Sequence, residues 1–213
     1  MDEEISIINN ETKKEKVLNF LKNNKKKLFL LLIILILIPF SIFSYQIIKD
    51  KNKDKLSSKF NLAVSSYENG NKSEIKSIMK EIINNKDKTY SPLALYFLID
   101  NDIQLTNEEV NNYFDIIINE INLDKEIKNL NIYKKGLFNS SFVSENELLL
   151  ILKPVINSDS LWKPHALILL GEYFLDKNQN QKAKEFFNQI LNIENTNEQL
   201  KIEAKKRLIN LGE

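Results

Sequence analysis

Residues 28–45 read LFLLLIILILIPFSIFSY, an 18-residue run without a charge, directly preceded by Lys25, Lys26 and Lys27. A helix needs about 18–20 apolar residues to cross a hydrocarbon core about 30 Å thick. A soluble fold accommodates a helix that is apolar all round only by sheathing it on every side. The run therefore sets the plan of the chain: a tail over 1–27, a membrane anchor over 28–48, a charged connector over 49–55 and a helical domain over 56–213. Leu28 opens the anchor. Pro39, past its middle, frees a backbone carbonyl that Ser41, Ser44 or a local distortion has to re-satisfy. Tyr45 suits an interfacial aromatic position.

A cleaved leader fits poorly. It has a short basic start, an apolar stretch of about 7–15 residues and a small-residue cleavage site. Here the polar start occupies 1–27, and bulky Ile42 sits where a small residue belongs if cleavage follows Ser44. The reading is an uncleaved anchor. Lysines set its direction: residues 13–27 hold seven Lys and one acid, residues 49–63 five Lys and two acids. Basic residues near a span favour the cytoplasmic side, so the amino terminus is expected inside and the large domain outside. The span has no ionisable group, which argues against a channel or proton relay. In the tail, Val17, Leu18, Phe20 and Leu21 share a helical face ringed by Lys14, Lys16 and Lys22, and Thr12 with Glu15 has capping-box spacing. A short amphipathic helix on an anionic leaflet and a solvated extension of the span are both open readings.

Beyond the anchor the periodicity is helical throughout, and only four Gly and four Pro punctuate the whole chain. Helices are expected over 55–68 and 73–84, broken at Asn69-Gly70-Asn71. Further pairs follow over 91–102 and 107–121, 125–138 and 145–155, and 161–176 and 179–193, with a last helix over 197–211. Pro92 suits a first turn, Thr106 an N-cap and Gly212 a helix stop. Pairs recurring every 34–36 residues indicate an all-α fold: an α-solenoid of about four tetratricopeptide-like pairs plus a capping helix. The fourth pair carries the pattern most fully, with Leu167, Leu170, Gly171, Phe174, Ala183 and Phe187 as its packing set. Gly171 and Ala183 let two helices approach, while the larger residues fill the seams. Asn195 stands where a closing proline is usual.

Chemistry is sparse. There is no Cys, one His and no glycine-rich phosphate loop, so a Ser/His or Cys/His nucleophile has only His165 to draw on. His165 reads as a helix-start residue. Glu108, Glu109, Glu145 and Glu147 read as charges at helix starts; an enzyme would need them to converge in a pocket. No catalytic residue, metal site, cofactor or small-molecule ligand is expected. Residues 56–213 carry 19 basic and 22 acidic groups, without the basic excess of a nucleic-acid binder. Trp162 has two readings: a partner contact, or a staple packing the start of the fourth pair onto the third.

The order of parts resembles the YfgM-like family, ancillary subunits of the SecYEG translocon in bacterial inner membranes. The resemblance lies in the acidic start, the stretch EKVLNFLKNN, the basic-flanked span and the tetratricopeptide-like domain. The carboxy-terminal stretch LWKPHALILLGEYFLDKNQNQKAKEFFNQILNIENTNEQLKIEAKKRLINLG resembles the alphaproteobacterial branch, although Phe20 stands where family members often carry Trp or Tyr. The resemblance implies a non-enzymatic inner-membrane protein with its large domain in the periplasm. It also implies partners: Sec translocon subunits, a membrane-anchored periplasmic peptidyl-prolyl isomerase, and exported chains passed on to periplasmic chaperones. An envelope-assembly or cell-division scaffold would use the same architecture.

Overall fold

The computed structural model describes residues 2–68, 74–194 and 196–212; of the side chains, those of 2–14, 17, 28, 31, 32, 42, 45 and 49 lie outside that description. The expected break at Asn69-Gly70-Asn71 and the proline-like position Asn195 also lie outside it. The described chain is all helical. It divides into two compact units, residues 1–55 and 56–213.

The first unit is helical from Asp2 onward and belongs to α1 (Asp2–Glu68), with Pro39 inside it. The helix therefore begins ahead of Thr12, so the Thr12–Glu15 spacing does not start it. The stretch anticipated as a charged connector, 49–55, is helical as well. α1 includes a stretch long and apolar enough to cross a membrane, and none of that stretch is buried. Leu35 is 67% exposed and Phe40 66%. Each such side chain left in water forgoes about 1.5–3 kcal/mol of burial, so this surface calls for an apolar medium.

The second unit begins with the last turns of α1 and continues through α2 (Ile75–Asn84), α3 (Tyr90–Asp100) and α4 (Asn107–Asp115). α4 runs on into a π-helical turn, Ile116–Glu120. Then come α5 (Lys125–Asn139), α6 (Glu145–Ile156), α7 (Lys163–Asp176), α8 (Asn180–Leu191) and α9 (Glu198–Asn210). Local chemistry sets the starts. Thr106 and Ser144 each form a full capping box, with Glu109 and Glu147 respectively. The Asp87 carboxylate accepts from the backbone N–H groups of Thr89 and Tyr90, both at 2.8 Å, ahead of α3. Asn197 caps α9 through the N–H of Gln199. α3 and α7 end on left-handed residues, Asp102 (φ 50°) and Asn178 (φ 57°). In each case the next N–H reaches back into the last turn, Ile103 to Leu98 and Gln179 to Phe174.

Sequence neighbours pack on one another, closely in α2–α3, α5–α6, α7–α8 and α8–α9; α5 also meets α7, and α7 meets α9. Buried positions recur at the separation of those meetings. Ile82, Ile117, Leu152 and Phe187 stand 35 residues apart and are all fully buried. Gly136 and Gly171 share the same spacing: a Cβ on Gly136 would strike Leu152, and one on Gly171 would lie 2.5 Å from the Phe187 ring. Gly171, Leu167, Leu170, Phe174, Ala183 and Phe187 are all buried together. Polar latches share the register. Tyr96 Oη donates to Asn131 Oδ1 at 2.7 Å, and Ser160 Oγ donates to Glu126 at 2.8 Å. Gln179 Nε2 donates to Glu145 at 3.4 Å. Asn131 is fully buried, so its hydrogen bonds spare it an unsatisfied amide.

Candidate protein-binding surface

The starts of α3, α5, α7 and α9 succeed one another every 35 residues or so, and one position in each falls on that spacing. At this position stand Pro92, Ile127, Trp162 and Asn197. Trp162, at the head of α7, stacks on Tyr133 of α5 with centroids 5.8 Å apart and planes 19° from parallel. His165 packs against both rings, 5.3 Å from Trp162 and 5.9 Å from Tyr133. The Glu126 carboxylate finishes this joint by accepting from Ser160 Oγ and from the Leu161 N–H, the latter at 3.0 Å. The joint buries the Tyr133 phenol and pushes its pKa up.

Ile127 and Asn197 are too small to fill the same place, and a groove opens on each side of the Trp162 joint. The first, about 380 Å³, lies between the starts of α3 and α5 and is walled by Pro92, Leu93, Leu123, Ile127 and Leu130. The second, about 690 Å³, lies between the starts of α7 and α9 and is walled by Leu161, Pro164, His165, Ile193, Thr196 and Leu200. The two are equivalent under a shift of 70 positions: Leu123 corresponds to Ile193, Asp124 to Glu194, Ile127 to Asn197 and Leu130 to Leu200. Leu93 and Leu161 leave substantial apolar surface in water, Leu161 being 75% exposed. Asp124, Asp159 and Glu194 form an exposed acidic row at the same edge.

Elsewhere the carboxylates are engaged one by one. Glu109 takes Lys80 at 2.5 Å, which holds the Glu109 carboxyl below its usual range and raises the Lys80 ammonium. Glu145 takes Lys182 at 2.6 Å and is lowered by it. Glu147 is lowered by the Ser144 hydroxyl it caps. Glu108 is exposed in the first turn of α4. These acids are shared out among separate helix starts and do not face a common pocket.

The packing set read from the sequence lies together in the α7–α8 seam. Trp162 is half-buried in the joint just described, which gives it an intramolecular partner. Pro39 lies inside α1; the side chains of Leu28 and Tyr45 fall outside the described residues. Gly136, the Glu126 latch and the two grooves were not singled out in the sequence. Aligning 127, 162 and 197 would have pointed to the grooves, because of these three only Trp162 is a large aromatic. No family model, curated protein or solved structure matches this chain.

Proposed function

We propose that this chain is a non-enzymatic, membrane-anchored protein-binding module of tetratricopeptide-like solenoid architecture. In this reading α1 anchors it in a bacterial inner membrane, with the amino terminus cytoplasmic and residues 56–213 in the periplasm. The domain is ancillary to the Sec translocon and helps hand exported chains to periplasmic chaperones. The observation that carries the binding role is the pair of equivalent apolar grooves flanking the Trp162 joint. The 35-residue recurrence of Ile82, Ile117, Leu152 and Phe187, and of Gly136 and Gly171, supports the solenoid. The lysine bias around the anchor supports the orientation, and the resemblance to YfgM-like proteins supports the translocon as the neighbour.

The test is site-specific photocrosslinking in intact membranes from Leu93 and Leu161, both exposed at groove edges. Adducts with translocon subunits or nascent exported chains are expected. Adducts only with envelope-assembly or division proteins would favour a scaffold and defeat the translocon reading.

A further inference from the structure

Of the two grooves, the larger contains polar groups with unmet hydrogen-bonding capacity. Thr196 is 8% exposed and its Oγ1 has no hydrogen-bond partner; His165 Nδ1, also buried, has none. Both residues line the groove with Leu161, Pro164, Ile193 and Leu200. Both atoms lie beneath the groove surface, and a hydroxyl or imidazole nitrogen left dry and unpaired costs free energy that a ligand's donor or acceptor recovers once the side chain turns toward it. Apolar walls interrupted by a few such groups suit a ligand that alternates apolar and hydrogen-bonding elements.

Charge narrows the class. Asp159 and Glu194 stand at the rim against Lys163 alone, so an anion meets net repulsion there while a cation is drawn in. Asp124 continues the acidic row toward the other groove. The preceding gap shows what this geometry accepts. There the chain's own Ser160-Leu161-Trp162 turn sits against α5, one main-chain N–H and one hydroxyl held by Glu126 and an aromatic face laid on Tyr133. That occupant is a polypeptide segment using both backbone and side chain.

We infer that the groove between the starts of α7 and α9 binds an extended peptide segment bearing apolar side chains and a flanking lysine or arginine. Thr196 and His165 turn out of the groove wall to pair with its backbone, and Asp159 and Glu194 face its cation. This rests on the protein-binding reading and adds the place and the chemistry of the bound chain.

Trp162, the only tryptophan, lies 5.3 Å from His165 and supplies the signal. The full chain in detergent micelles is titrated with an end-blocked pentapeptide of three leucines, one serine and one lysine. Parallel titrations use the same peptide with aspartate replacing lysine, and inorganic phosphate. A saturable change in tryptophan fluorescence is expected with the lysine peptide, weakened by salt. The aspartate peptide should bind at least about 5-fold more weakly, and phosphate should produce no change. Thr196→Val should weaken the lysine peptide about 3- to 10-fold while Thr196→Ser retains it. Leu161→Ser, a neutral change at an exposed position, should weaken it at least as much through the lost apolar wall while leaving the rim charge as it is. The inference is overturned if fluorescence does not respond, if the aspartate peptide or phosphate binds as well or better, or if Thr196→Val and Leu161→Ser both bind like the parent while melting no lower than it. Crosslinking in membranes separates this from the broader reading. Translocon adducts that persist in both variants place the partner elsewhere and overturn the groove assignment alone; their absence from the parent chain defeats the translocon reading, whatever the peptide does.

Discussion

At the scale of single residues, Gly171 is tightly constrained. The fully buried Phe187 ring occupies the space that a Cβ there would need, and a ring has no flexible tip to withdraw. Gly171→Ala should destabilise the domain by about 1–3 kcal/mol, read from denaturant midpoints. Gly136→Ala meets the fully buried Leu152 at both Cδ2 and Cγ and should cost a similar amount. Gly171→Ala combined with Phe187→Leu should fall short of the sum of the single effects, because the second change makes room for the first. Additive losses would show that Gly171 is required for its backbone and not for the approach of Phe187. Trp162→Ala should cost about 2–4 kcal/mol through the lost stack on Tyr133 and His165, with Trp162→Phe recovering much of it.

At the scale of elements, helix starts are held by carboxylates that titrate. Glu109, Glu145 and Glu147 have values lowered in the folded chain relative to the ordinary 4.5, so each binds its proton more tightly when unfolded. Their contribution is fully present above about pH 4.5 and is lost as pH falls through the lower folded values. Glu147 is exposed and Glu109 and Glu145 are about a third exposed, so salt should flatten the effect. Melting temperature followed from pH 6 to pH 3 should fall less steeply in Glu109→Gln and Glu147→Gln than in the parent chain; equal slopes would mean the caps do not set this dependence. These same starts were legible in the sequence, because Thr106-x-x-Glu109 and the acids after Ser144 are local signals. The ends were less so. α3 and α7 close on Asp102 and Asn178 in the left-handed region, a role for which glycine is the usual sign, and the expected 91–102 overran the helix that stops at Asp100. The π-helical turn after α4 left no trace in apolar spacing. The grooves were hidden for a different reason. They arise from what is missing at Ile127 and Asn197 relative to Trp162, and a gap between elements is visible only when equivalent positions are compared.

At the scale of the whole molecule, the two units need different solvents. Residues 56–213 bury a continuous set of side chains from Ala63 to Leu208, whereas none of the apolar stretch of α1 is buried. The first can meet its hydrophobic requirement within the chain. The second cannot, and a length near that of a bilayer core makes lipid the natural complement. Deleting residues 1–55 should therefore turn a protein that stays in the membrane pellet through alkaline carbonate extraction into one recovered in the supernatant. That fragment should keep its helical circular dichroism and a cooperative melt. Replacing Leu35 and Ile36 together by lysine, while leaving the rest intact, should weaken membrane retention, since each charge at mid-span costs about 2.5–3.5 kcal/mol on insertion scales. A reporter fused after Glu213 then reads the direction of the anchor. Activity only of a periplasm-dependent reporter is expected from seven lysines on one side against five on the other. Moving that balance by Lys25→Ser, Lys26→Ser and Lys27→Ser should shift a measurable fraction of the reporter to the opposite side. An unchanged distribution would mean that something other than flanking lysines orients the span.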